Sequence, residues 1–213
     1  MRALTAIDVL LDPDEPMRAF AADLNGRMLA SIPSPPGFAL DENHRPHVTV
    51  LQRYVRTAAL DQVCEAIQEV RASVDLSTLR LTARALTHVV LQPSIGIAVI
   101  EVAPGPDVLS LQARLIEVLQ PFTERGGSAE AFVRTPAEPD IGEETVEFIE
   151  DYVPRHSGAN YVAHVTVGLA APEDLAVLEA APFPPFTFAA DALSIYQLGN
   201  AGAAARCLQT WKG

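Results

Sequence analysis

The tetrapeptide His-Val-Thr-Val occurs twice in this chain, in "RPHVTVLQRYV" at residues 45–55 and in "YVAHVTVGLA" at residues 161–170. Alternate side chains of an extended strand share a face, so His47 and Thr49 point one way while Val48 and Val50 point the other. The same alternation separates His164 and Thr166 from Val165 and Val167. Each strand thus buries two valines and presents one imidazole and one hydroxyl. Brought to one cleft, those four groups suit phosphodiester chemistry without a metal. A neutral His takes a proton from an attacking water or hydroxyl, and a protonated His returns one to the leaving oxygen. Thr hydroxyls donate to the non-bridging oxygens as charge builds on them. A single His-x-Thr strand is usually a half-buried strand with a satisfied histidine, and it is the repetition at equivalent places that favours function.

Hydrophobic periodicity supplies the elements that must position the two strands. A buried strand over 4–11 precedes a helix in "DPDEPMRAFAADLNGRMLASIP", with Asp12 or Asp14 as N-cap and Phe20, Leu24, Met28 and Leu29 at helical spacing. Pro33, Pro35, Pro36 and Gly37 stop it. The first motif strand leads into a helix from residue 57 to about residue 74, then a hairpin of strands 79–91 and 95–102. A helix over 107–122 follows. After the second motif strand, 161–169, come a helix at 172–180 and strands at 186–195 and 204–211. Both motif strands are therefore followed by a helix and a strand pair, the pattern of two related lobes.

Between the halves, residues 125–160 carry eight acidic residues against three arginines, with several Pro and Gly and one weak helical signal around 143–152. The segment reads as a lid or a solvated insertion in a single bilobal domain spanning 1–213.

The chain has 213 residues, 49% of them hydrophobic, and a formal net charge of −12. Such a charge disfavours long duplex nucleic acid, whose binding depends on many Lys and Arg, but leaves room for one phosphate clamped by local groups. The opening residues lack a secretory pattern and no apolar run approaches a membrane span, so the cytoplasm is the expected compartment and no membrane partner is expected. Cys64 and Cys207 lie in no CxxC or metal-ligand cluster, and Cys64 reads as packing.

The paired motifs, in the contexts "HRPHVTVLQRYV" and "YVAHVTVGLA", resemble the 2H phosphoesterase superfamily, which includes RNA 2′,3′-cyclic phosphodiesterases, the so-called 2′-5′ RNA ligases. The resemblance implies an α+β fold of two pseudo-symmetric lobes of antiparallel sheet, helices packed outside, around a central cleft. It implies that His47, Thr49, His164 and Thr166 occupy the catalytic positions. The expected activity is that of a 2H-type cyclic phosphodiesterase without cofactor or metal, acting on a small nucleotide or short oligonucleotide with a cyclic or 2′-linked phosphate. The alternative is a non-catalytic module of the same fold that binds a nucleotide or phosphometabolite. Two departures concern the substrate: "LQRYV" follows the first motif instead of an "FLG"-like run, and Gly168 follows the second where many relatives have Arg.

Around the motifs, Arg53 and Tyr54 beyond the first and Tyr161 before the second are candidate substrate-binding residues, Arg for bidentate phosphate binding and Tyr for stacking or a hydrogen bond. Arg134 and Arg155 reach the cleft only if their segment folds over it. His44 and His47 form an HxxH spacing, but zinc needs a third protein ligand and a geometry that Pro46 disfavours. His156 reads as loop and His88 as core.

Overall fold

A computed structural model describes residues 3–31, 38–41, 44–136 and 139–213. The prolines read as the stop of the first helix, Pro33, Pro35 and Pro36, and Gly37 with them, lie outside the described residues.

The strands are β1 (Leu4–Pro13), β2 (Val48–Arg56), β3 (Leu81–Gln92), β4 (Ile95–Pro104), β5 (His164–Ala170), β6 (Phe186–Phe188), β7 (Ala190–Leu198) and β8 (Ala204–Lys212). The helices are α1 (Glu15–Ser31), α2 (Leu60–Ala72), α3 (Pro106–Leu119), α4 (Glu143–His156) and α5 (Pro172–Glu179). Two antiparallel four-stranded sheets result, one in the order β2-β1-β7-β8 and the other β5-β4-β3-β6.

Each sheet buries one face under helices. In β1 the alternation is strict: Ile7, Val9 and Leu11 join the main core, while Ala6 joins a separate cluster on the opposite face with Tyr54, Phe132 and Leu198. Helices α2 and α3 pack on the first sheet, α1 and α5 on the second. Helix α1 thus leaves the sheet that holds β1 and crosses to β5. Asp14 caps it, accepting from the Met17 amide at 3.3 Å.

The single strand expected over 186–195 is two strands in different sheets. Phe186–Phe188 pairs with β3, and Ala190–Leu198 pairs with β1. The crossing at Ala189 is fixed by Asp14, whose backbone N–H donates to Ala189 O and whose carboxylate accepts from Ala189 N, both at 2.9 Å. As a result each motif strand lies in a sheet with the hairpin that follows the other motif, so the lobes interleave along the chain.

The acidic segment contains a helix that packs on the first sheet. Its helix α4 begins with Glu143 and Glu144 and ends with Arg155 and His156, charges that suit the helix dipole. The helix packs on β2, where Tyr54 O–H donates to Val146 O and Tyr152 O–H to Val50 O. Ahead of it, Ala131 O accepts from the Gln197 side chain and Val133 N–H donates to Leu198 O. A Cβ at Gly127 would stand 2.2 Å from the Tyr54 ring, so only glycine lets this segment lie so close.

Candidate active site

The two histidines are held in the same way. His47 Nδ1 lies 2.8 Å from Arg45 O, and His164 Nδ1 lies 3.1 Å from Val162 O, in each case the carbonyl two residues earlier. A carbonyl only accepts, so Nδ1 carries the hydrogen in both rings and Nε2 is left to face the cleft. The rings are close enough that charge on His47 disfavours charge on His164.

Both motif strands also share an irregularity that simple alternation does not foresee. Along β1–β2 the pairing passes from Val9 with Leu51 to Leu10 with Thr49, leaving Val50 as a bulge. Along β4–β5 it passes from Ala98 with Gly168 to Val99 with Thr166, leaving Val167 as the bulge. Val50 and Val167 are fully buried. The bulge in β2 rotates the strand so that Thr49 and Gln52, three residues apart, reach the same neighbour.

That neighbour is Asp8 of β1, which sequence reasoning missed. It is fully buried, and its Oδ2 accepts from Thr49 Oγ1 at 2.8 Å and from Gln52 Nε2 at 3.0 Å. His47 Nε2 lies 3.9 Å from the same oxygen. Burial raises the Asp8 carboxyl above the usual carboxylate range, against the opposing pull of His47 charge and the two hydrogen bonds. The available signal was one acidic residue inside an apolar strand.

The second lobe has no acid at the equivalent place. Val99 is the cross-strand neighbour of Thr166, whose hydroxyl has no partner among the described residues. Continuing on that face, Ile97 and Val89 are paired with each other across β4 and β3, making an apolar wall. His164 keeps solvent-accessible surface, yet the protein packed around its ring pushes its pKa below the ordinary histidine value, and His47 adds to that.

Two polar side chains hold the motif strands together. Tyr161 O–H donates to Thr49 O at 2.6 Å. Asn25 of α1 donates to Val167 O at 2.8 Å and to Phe38 O at 2.9 Å, and accepts from Leu40 N at 3.1 Å. Gly168 packs against this helix, and a Cβ there would stand 3.1 Å from Asn25 Nδ2 and 3.2 Å from Met28 Cε. A side chain at that position therefore needs Asn25 or Met28 to give way by a few tenths of an ångström.

The structure thus brings together His47, Thr49, His164, Thr166 and Tyr161. The other two predicted binding residues are placed elsewhere. Tyr54 is 2% exposed, edge-on to Phe132 and covered by α4. Arg53 is also buried, donating to Ile116 O of α3 at 3.0 Å, because the bulge in β2 turns it to the helix side. Both line a cavity of about 210 Å³ with Arg125 and Glu150, which pair at 2.7 Å, and no motif residue borders it.

Arg155 pairs with Asp151 at 3.1 Å on α4, and Arg134 is exposed. His44 stacks on Phe38 with centroids 4.3 Å apart, His88 meets Glu179 at 2.6 Å, and His156 lies against Phe148. Cys64 is half-buried and its thiol is pushed up by burial. Among the described residues no three His, Cys, Asp or Glu cluster as metal ligands, and no helix is long and apolar enough to cross a membrane.

Comparison with known proteins places this architecture. A structure of TT0787 of Thermus thermophilus is similar over 98% of this chain and 97% of its own, at 15% identity and a TM-score of 0.57. Kluyveromyces marxianus Usb1 with uridine monophosphate is similar over 98% and 99%, at 10% identity and a TM-score of 0.50. E. coli LigT complexed with NADP+ is similar over 99% and 98%, at 15% identity and a TM-score of 0.47. No curated protein sequence is close enough to count as a match. The family model described as "2'-5' RNA ligase superfamily" matches residues 36–202, a span that contains both motifs. This chain belongs to the 2'-5' RNA ligase superfamily.

Proposed function

We propose that this protein is a metal-independent phosphodiesterase that opens a cyclic phosphate or cleaves a 2′-linked phosphodiester of a small nucleotide or short oligonucleotide. The observation that carries the reading is the matched pose of His47 and His164: each is pinned through Nδ1, each offers Nε2, and charge on His47 disfavours charge on His164. That is the equipment of acid–base catalysis on one phosphate.

The two halves differ in a way that divides the labour. His164, whose burial favours the neutral ring, accepts the proton of the attacking water or hydroxyl. His47, the ring with a carboxylate 3.9 Å from Nε2, donates to the leaving oxygen. The unpartnered Thr166 hydroxyl donates to a non-bridging oxygen. The wall of Val99, Ile97 and Val89 beside it suits the flat face of a base. Belonging to this superfamily supports phosphoester chemistry, and the uridine monophosphate in Kluyveromyces marxianus Usb1 is in keeping with a nucleotide-sized ligand. The net charge of −12 argues for small substrates.

The test is a screen of 2′,3′-cyclic mononucleotides, ADP-ribose cyclic phosphate and 2′-5′ dinucleotides with a chelator present throughout. Turnover of any of them, lost in His47→Ala and in His164→Ala, supports the reading. Binding without turnover on every compound replaces it with the nucleotide-binding module.

A further inference from the structure

Both polar groups that the first lobe offers to a phosphate are already directed at Asp8. His47 has one free nitrogen, Nε2, because Nδ1 is committed to Arg45 O, and that nitrogen faces Asp8 Oδ2 at 3.9 Å. Thr49 has one hydrogen to give, and it goes to the same oxygen at 2.8 Å. A phosphate bound between the two histidines competes for both. Once it has taken them, a fully buried carboxylate keeps only Gln52 Nε2 among the described residues, and its other oxygen, Oδ1, has no partner among them. A buried anion left in that state, beside a second anion, is costly, and neutralisation by a proton is the usual resolution.

We propose that Asp8 is a proton-linked counter-ion: it partners His47 and Thr49 while the cleft is empty and takes up a proton when a phosphate replaces it. The idea rests on the phosphodiesterase reading and adds a role for a residue that never touches the substrate. On binding, His47 turns its Nε2–H from Asp8 to a phosphate oxygen. The Thr49 hydroxyl does the same, and Asp8, having gained one proton from solvent, donates it back to Thr49 Oγ1. The one covalent change is the O–H bond that Asp8 gains with its proton, which the solvent gives up; the rest is an exchange of hydrogen bonds. Asp8 is therefore a positioning residue, one that releases the Thr49 hydrogen to the phosphate only when an anion is present.

The titratable groups around Asp8 leave it as the site of uptake on this side of the cleft. Besides His47 they are Tyr152 of α4, Tyr161 before β5 and Tyr196, its cross-strand partner on β7. All three phenols are pushed above the ordinary tyrosine value by burial, so they stay neutral near pH 7. Arg45, Asp12 and Cys207 act in turn on Tyr196. Burial also holds the Asp8 carboxyl above the usual range before any ligand arrives.

The experiment is calorimetric titration with adenosine 2′-monophosphate at about pH 8, where the ligand is already a dianion, since its second pKa is about 6. Running each titration in two buffers of different ionisation enthalpy gives the number of protons taken up. The unmodified protein is expected to take up roughly one proton more than Asp8→Asn, which keeps the acceptor for Thr49 but cannot titrate. Equal uptake, or greater uptake by Asp8→Asn, overturns the proposal. Greater uptake is what a permanently ionised Asp8 predicts, because removing its charge leaves His47 to gain its proton from the ligand. An infrared difference spectrum of the unmodified protein needs no variant: binding must produce the C=O band of a protonated aspartic acid, and its absence overturns the proposal even if Asp8→Asn does not fold. Turnover without proton-linked binding sinks the role of Asp8 alone. Neither binding nor turnover of any cyclic or 2′-linked phosphodiester sinks the phosphodiesterase reading and this role together.

Discussion

The hydroxyl of Tyr161 donates to the backbone carbonyl of Thr49 over 2.6 Å, so the residue that leads into the second motif strand is fastened to the middle of the first. This hydrogen bond ties the two motif strands to each other. Tyr161→Phe keeps the ring and removes the bond. The expected cost is about 1 kcal/mol in denaturant unfolding, together with a fall in kcat larger than any rise in KM. Unchanged kcat would show that the spacing is held by other contacts.

Replacing either His47 or His164 by Ala is expected to lower turnover about a hundredfold or more. The double replacement should cost little beyond the worse single one, because the pair acts as a unit. Additive losses in single-turnover rates would mean that the rings work on separate steps.

Activity against pH should be bell-shaped, and its acid limb should fall below the ordinary histidine value of 6.5, since burial lowers the His164 pKa and it must be neutral to accept a proton. Replacing His47 by Gln removes the charge that adds to this depression, so the residual activity should show an acid limb displaced upward. A limb that stays put would argue that another group reports there.

Asp8→Asn should raise the melting temperature at neutral pH. The folded carboxyl titrates above its unfolded value, so the unfolded chain loses its proton first as pH rises, and stability falls through that window. Asparagine carries no such penalty. Melting curves from acid to neutral pH should therefore show the two proteins converging at low pH and separating as pH rises. For His164 the sign is opposite: its folded pKa is lowered, so the unfolded chain binds more protons and stability falls as pH drops below the histidine range.

Asn25→Ala removes three hydrogen bonds that join α1 to the loop before the first motif and to Val167 in the second. A loss of roughly 1–3 kcal/mol is expected from the polar groups left behind. Turnover should fall with it although Asn25 touches no reacting atom, and thermal denaturation with a rate assay on the same preparation checks both.

The motif strands were legible because their alternation is local: the repeated tetrapeptide singled out His47, Thr49, His164 and Thr166 as candidates before any neighbour was known. Asp8 was not, since a carboxylate in an apolar strand acquires meaning only when β2 is laid beside it. The bulges at Val50 and Val167 were equally hidden. The one at Val50 turns Arg53 to the helix side, onto Ile116 O, and leaves Tyr54 on the face of Thr49 and Gln52, where α4 covers it. The acidic segment looked like loop because its apolar residues are few, but Ile149 and Tyr152 are spaced to seat α4 on a surface that the sequence does not display.

The crossing at Ala189 bears on how the chain is made. Sheet one takes β1 and β2 from residues 4–56 and β7 and β8 from residues 190–212, so its central pairing joins segments that leave the ribosome far apart in time. Until residue 190 emerges, β1 has an open edge where Asp8 and Asp12 will later face β7. Such a nascent chain exposes an apolar strand edge until β7 emerges, and the pairing that closes it is non-local and therefore slow. The placement of two charges on that strand then has a second use, as a guard against pairing with another chain in the interval.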